Sequence, residues 1–241
     1  PAALLRRLLG EDPTEVKVCG ITREEDVDAC LEQGVDWIGL VFAAGSPRRL
    51  TPEEGRFLRM RAKGEGHGDG RFLRMGGDGE SGARRGAGAV KGVVAVFDGN
   101  AEEEILRVVE LVHPDVVQMP LPARNHSKKS FSSDIAFWNT IRVGRDELSS
   151  AKEAEGDALH FDTSVGGVGG GTGRTFDWTL LTGVARSRPV VLAGGLSPEN
   201  VADAVRKVKP DIVDVSSGVE AAPGIKDPAK IAAFVREVRR A

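Results

Sequence analysis

Val190-Val191-Leu192-Ala193-Gly194-Gly195-Leu196-Ser197-Pro198-Glu199 decides the fold. Four consecutive apolar residues read as a strand buried on both faces rather than on one. Two glycines then give a tight exit. Ser197 followed by Pro198 is a helix cap with proline at the first helical position. A strand, a short loop and a helix start in one stretch form the repeating unit of a parallel α/β sheet.

The same unit recurs in both directions. Apolar runs fall at Val16–Cys19, Trp37–Phe42, Val93–Phe97, Val116–Gln118, Thr140–Val143, Leu159–Asp162, Val190–Ala193 and Ile212–Val215. Helix-start chemistry lies between several of them. Thr22 with Glu25 reads as a capping box, Thr51-Pro52-Glu53-Glu54 as cap, proline and N3 glutamate, and Asp227-Pro228 as cap and proline. Eight strands alternating with helices in 241 residues fit a (β/α)8 TIM barrel, usually of about 250 residues, as a single domain spanning 1–241. A doubly wound open sheet is the structural alternative, with fewer strands and a switch-point site.

Composition narrows the function. The chain is 40% hydrophobic and 29% charged with net charge −3, a soluble globular profile that favours neither nucleic acid nor an anionic membrane. No apolar stretch approaches the roughly 20 residues that span a bilayer. Leu4-Leu5-Arg6-Arg7-Leu8-Leu9 is too short and too charged for a secretory signal and reads as a leading helical turn or two. Two cysteines and four scattered histidines form neither a disulfide framework nor a metal-ligand spacing, so neither a disulfide scaffold nor a zinc site is expected. A reducing cytoplasm is the simplest home. An apolar helix face can be core or interface, which leaves monomer or homodimer.

Two segments interrupt the pattern. Residues 64 to 88 hold ten glycines, from which no core can be built. Gly55-Arg56-Phe57-Leu58-Arg59-Met60 recurs as Gly70-Arg71-Phe72-Leu73-Arg74-Met75, so residues 61–92 read as a surface insertion after the second helix, lengthened by duplication. Pro120 to Ser133 reads as a second insertion.

In a barrel, chemistry belongs at the C-terminal strand ends and the loops after them. The first strand ends Lys17-Val18-Cys19-Gly20-Ile21-Thr22. Period two puts Lys17 and Cys19 on one face, where a cation lowers a thiol's pKa. Lys17 can instead pair with Asp214, inward on the last strand. A lone cysteine is more often buried and inert, and Cys30, within the first helix, reads as core. After the second strand comes Ser46-Pro47-Arg48-Arg49, where either arginine can hold a carboxylate bidentately or stand in solvent. The sixth strand ends in Asp162, followed by Gly169-Gly170-Gly171-Thr172-Gly173, whose Gly171 and Gly173 can offer backbone N–H groups to an anion. Gly194 and Gly195 after the seventh strand, with Ser216, Ser217 and Gly218 after the eighth, occupy the usual phosphate-binding position of barrels, and a short helix there would add its N-terminal dipole. The set points to an enzyme acting on a small phosphorylated molecule.

Taken in order, these residues resemble the phosphoribosylanthranilate isomerase family. The likeness runs through Lys17-Val18-Cys19-Gly20-Ile21-Thr22, Gly39-Leu40-Val41-Phe42 with Ser46-Pro47-Arg48, Val117-Gln118, Phe161-Asp162-Thr163, Gly170-Gly171-Thr172-Gly173 with Phe176-Asp177-Trp178, Leu192-Ala193-Gly194-Gly195-Leu196 and Asp214-Val215-Ser216-Ser217-Gly218-Val219-Glu220. The resemblance implies an Amadori rearrangement in tryptophan biosynthesis, without cofactor. It implies Asp162 as general acid, Cys19 as general base, Arg48 on the anthranilate carboxylate and the glycine-rich loops on the phosphate. The acid must rise above an ordinary carboxyl of about 3.9, and the base must fall below about 8.5 or ionise once Asp162 has given up its proton. In the family the fourth strand is followed by Gln-Leu-His-Gly; here Gln118-Met119-Pro120-Leu121 lacks the His and Gly.

Three other readings compete. Another phosphate-binding barrel isomerase would rely on paired carboxylates or on metal-binding His and Asp residues, which Cys19 with Asp162 does not match. A non-catalytic phosphosugar-binding barrel would bind without turnover. A nucleic-acid role would rest on the arginines of the glycine-rich segment.

Overall fold

The computed structural model describes residues 13–65, 88–120, 134–143, 154–162, 178–181 and 188–241. Its elements are β1 (Glu15–Cys19), α1 (Glu24–Glu32), β2 (Trp37–Val41), α2 (Pro52–Ala62), β3 (Gly92–Val96), α3 (Glu102–Val112), β4 (Val116–Met119), β5 (Ala136–Arg142), β6 (Ala158–Asp162), β7 (Val190–Leu192), α4 (Val201–Val208), β8 (Ile212–Val215), a hairpin of β9 (Glu220–Ala222) and β10 (Ile225–Lys226), and α5 (Pro228–Arg240). Short 3-10 turns lie at Trp178–Leu181 and Ser217–Val219.

β1 to β8 close into a parallel barrel in chain order, with Lys17 of β1 opposite Asp214 of β8. The open doubly wound alternative is excluded. Strand alternation sorts the core into two parts. Val16, Val18, Ile38, Leu40, Val93, Leu159 and Phe161 face outward and join Val27, Leu58, Val108, Val205 and Phe234 of the helices in one large apolar cluster. The alternate positions Val94, Val116, Trp138, Ala158, Val191 and Ile212 form a second cluster with Trp37 inside the barrel. The Trp37 and Trp138 rings meet at 5.2 Å between centroids. This inner layer plugs the lower barrel, and each fully buried side chain of this kind contributes roughly 1.5–3 kcal/mol.

The helix starts follow expectation unevenly. Thr51 Oγ1 accepts from the Glu54 backbone N at 3.2 Å, Glu54 Oε2 accepts from Thr51 N at 2.8 Å, and Pro52 opens α2. Asp227 Oδ1 accepts from Ala229 N at 2.9 Å ahead of α5. Thr22 caps nothing: α1 starts at Glu24 with Arg23 at its N-cap, and the Thr22 hydroxyl donates to the Gly224 carbonyl at 2.5 Å instead. After β7 the helix begins at Val201, beyond the Ser197-Pro198 signal, because Asn200 is the N-cap and accepts from Ser197 N at 2.8 Å. β5 starts at Ala136 rather than Thr140, since Asn139 interrupts the apolar run without interrupting the ladder.

Residues 66–87, most of the glycine-rich segment, lie outside the described residues, as do 1–12 and 121–133. The segment's two ends meet: Val90 N donates to the Ala62 carbonyl at 3.0 Å.

Candidate active site

The upper half of the barrel interior is polar. Lys17 Nζ donates to Asp214 Oδ2 at 2.6 Å and to Gln118 Oε1 at 2.9 Å. His160 Nε2 lies 2.8 Å from the same Asp214 oxygen. Four strands, β1, β4, β6 and β8, thus each send one buried polar side chain to a common centre. Burial opposes both charges of the ion pair, yet Asp214 holds the Lys17 ammonium above its ordinary pKa, and Lys17 with His160 holds the Asp214 carboxyl below its own. Of the two readings of Lys17 that the sequence leaves open, the pairing with Asp214 is the one formed, while its charge also acts on the Cys19 thiol.

Two candidate residues stand one alternation above this centre. Cys19 shares the inward face with Lys17, and Asp162 shares it with His160. Both end their strands at the C-terminal mouth. Burial pushes the Cys19 thiol above its ordinary pKa; Lys17 pulls it back, Asp214 adds to the rise, and Lys226 opposes it. The expectation that its cationic neighbour would leave Cys19 lowered is therefore not met: desolvation wins. Cys30 is core, fully buried with its thiol pushed up to about 12 by burial. Asp162 is half-buried, beside Arg142 of β5 in the strand register, whose guanidinium reaches Asp98 at 2.5 Å.

Glycines make the room. A Cβ on Gly39 of β2 would lie 2.7 Å from Cys19 Sγ. A Cβ on Gly20 would lie 2.3 Å from Arg48 Cδ, and its φ of +76° suits glycine. Arg48 therefore crosses directly over the residue after Cys19. Its guanidinium lies bidentate on Glu220, Nε to Oε1 at 2.7 Å and Nη2 to Oε2 at 2.6 Å. Lys226 Nζ reaches the same carboxylate at 2.9 Å and the Ser216 carbonyl at 3.2 Å. Burial pushes the Glu220 carboxyl up, but the bonds from Arg48 and Lys226 outweigh it and hold it down to about 2. Arg49 turns away to Glu104 with its side chain 48% exposed, against 13% for Arg48.

The loops after β7 and β8 form one body. A Cβ on Gly218 would meet the Leu196 carbonyl oxygen at 2.0 Å, so only glycine permits the contact. Gly194 and Gly195 adopt φ of 85° and 65°. Ser216 precedes a three-residue 3-10 turn, not the expected short helix, and so small a turn sums little dipole. Gly171 and Gly173 lie outside the described residues.

A family model described as N-(5'phosphoribosyl)anthranilate (PRA) isomerase matches residues 82–237. A protein named N-(5'-phosphoribosyl)anthranilate isomerase, from Xanthomonas euvesicatoria pv. vesicatoria (strain 85-10), is 37% identical over 239 residues, 95% of this chain and 94% of its own. This chain belongs to the phosphoribosylanthranilate isomerase family. The fold agrees. The crystal structure of phosphoribosyl anthranilate isomerase from Thermotoga maritima superposes with TM-score 0.73 at 32% identity, covering 95% of this chain and 100% of that one. A phosphoribosyl anthranilate isomerase crystallised with reduced 1-(o-carboxyphenylamino)-1-deoxyribulose 5-phosphate gives TM-score 0.70 at 30% identity, with the same coverage.

Phosphoribosylanthranilate isomerase motifs in the sequence left four residues without a role that the structure supplies. Glu220 and Lys226 brace Arg48 and the Ser216 loop, and His160 joins the buried centre. Gly39, the single glycine of an apolar strand, marks a close approach, and that signal was readable. The Lys226 contact has no sequence signal, because it depends on how the β9–β10 hairpin folds back. Among the described residues no helix is long and apolar enough to cross a membrane.

Proposed function

We propose that this chain converts N-(5'-phosphoribosyl)anthranilate to 1-(o-carboxyphenylamino)-1-deoxyribulose 5-phosphate by an Amadori rearrangement, with Asp162 as general acid and Cys19 as general base. The observation that carries the reading is the pair of strand ends, Cys19 and Asp162, rising from one interior face above a single buried charge centre.

The acid protonates the ribose ring oxygen, the C1′–O bond breaks, and the anthranilate nitrogen lone pair closes a Schiff base. The cationic Schiff base acidifies C2′–H. Cys19 removes that proton and leaves an enolamine, which tautomerises to the ketone. Cys19 rests as a thiol, because burial raises its pKa. Once Asp162 has given its proton to the ring oxygen, the thiol proton passes to the Asp162 carboxylate, and the substrate cation and Lys17 favour the thiolate that takes the C2′ proton. Arg48 takes the anthranilate carboxylate: it stands beside Cys19, is already oriented by Glu220, and its Nη1 has no partner among the described residues. Gly194, Gly195, Ser216, Ser217 and Gly218 take the phosphate, with Gly171 and Gly173 assigned to it by their place after Asp162.

The test is loss of anthranilate-type fluorescence when the purified chain meets freshly made phosphoribosylanthranilate, with Asp162→Asn and Cys19→Ala in parallel. Rapid loss with wild type and loss slowed by at least about a hundredfold in each folded variant is expected. Near-normal turnover in either variant removes that residue from its role, and no turnover by wild type favours a barrel that binds a phosphosugar without converting it.

A further inference from the structure

We propose that His160 is a positioning residue for the Cys19 thiol: its Nε2–H shares the Asp214 carboxylate with Lys17 and so leaves the Lys17 ammonium free to face the sulfur. The effect on turnover rests on Cys19 being the base; the effect on the thiol does not.

The Nε2 proton follows from the contacts. His160 is 2% exposed, and its Nδ1 has no hydrogen-bond partner among the described residues. Nε2 stands 2.8 Å from a carboxylate oxygen, which only accepts. Nε2 therefore carries a proton and donates it to the carboxylate. The Gln118 amide nitrogen approaches that atom only to 3.4 Å, because its oxygen is committed to Lys17.

Lys17 has three N–H groups. Asp214 and Gln118 take two, at 2.6 and 2.9 Å; a third remains, and Cys19 stands one alternation above on the same strand face. Asp214 Oδ1 has no partner among the described residues, and both donors, Lys17 and His160, meet at Oδ2. Without His160, that oxygen would have Lys17 as its one donor and would draw the ammonium away from the sulfur. The charged groups around Cys19 are Lys17, Asp214, Lys226 and Arg48. Among the described residues, those around His160 are Asp214, through it Lys17, and Asp162, two residues on along the same inward face; its register neighbours Thr140 and Val191 carry no charge.

Alkylation of Cys19 by iodoacetamide, followed by peptide mass against pH in the full chain, reads the thiol directly. Cys30 is fully buried and stays out of the measurement. His160→Leu should raise the midpoint by half a pH unit, about threefold slower alkylation at a pH of about 7.5. His160→Gln, whose amide N–H can stand where the ring N–H stands, should match wild type. If His160→Leu fails to fold, His160→Met removes the donor while filling the space. Wild-type alkylation in the folded Leu or Met variant overturns the proposal, and so does a Gln variant shifted as far as the Leu variant. A moved alkylation curve with an unmoved kcat–pH profile keeps His160 in this role and removes Cys19 as the base.

Discussion

Glu220 takes the Arg48 guanidinium edge-on, with both contacts at or below 2.7 Å, and turns a loop arginine into a fixed part of the barrel mouth. The same carboxylate anchors the buried Lys226. Glu220→Ala should therefore release two cations at once. We expect the KM for phosphoribosylanthranilate to rise more than kcat falls, and stability to drop by about 3 kcal/mol, the cost of leaving a buried charge unpaired. Steady-state kinetics with urea unfolding checks both, and an unchanged KM would separate Arg48 from substrate binding.

The Glu220 pair also has a pH signature. Its folded carboxyl sits at about 2, below an unfolded glutamate of about 4.3. A depressed pKa contributes stability above the unfolded value and loses it as pH falls through the folded one. The stability gap between wild type and Glu220→Gln should be full near neutrality and close between those two values. A gap that persists at the acid end would show that packing, not charge, separates the two proteins.

Gly39→Ala places a methyl 2.7 Å from the Cys19 sulfur and 3.0 Å from the Cys19 Cα. The thiol must move, and misplacement of about 1 Å can cost about a hundredfold in rate. We expect kcat to fall by at least about tenfold, with the circular dichroism spectrum retained. Unchanged kcat would mean that the sulfur does not need its observed position.

Gly218→Ala drives a methyl to 2.0 Å from a backbone oxygen of the neighbouring loop, which cannot rotate away as a side chain would. The loops after β7 and β8 must part. Affinity for the substrate phosphate should weaken, seen as a raised KM and a raised Ki for inorganic phosphate, with kcat less affected. An unchanged Ki would place the phosphate elsewhere.

Much of this was legible in the sequence because a parallel barrel repeats one unit. The run Ile212–Val215, apolar but for the inward Asp214, gave its strand position directly, and Thr51 with Glu54 gave a helix start to the residue. Thr22 misled because a hydroxyl accepts or donates with equal ease, and a hairpin two hundred residues away supplied its partner. Cys19 and Asp162 were found by their place at strand ends, with family resemblance naming their roles. The net direction of the Cys19 shift was not legible: it depends on how far burial outweighs Lys17, and burial is a property of the closed barrel.

Among the described residues the tryptophan-lined plug closes the lower barrel and leaves the mouth at the C-terminal strand ends. An isomerase alters its ligand's connectivity but scarcely its size, so what enters by the mouth must leave by it, past the same Arg48 and the same glycine loops. Product and substrate then compete for one doorway. Product inhibition should be strictly competitive, and a faster mouth would speed departure as much as arrival.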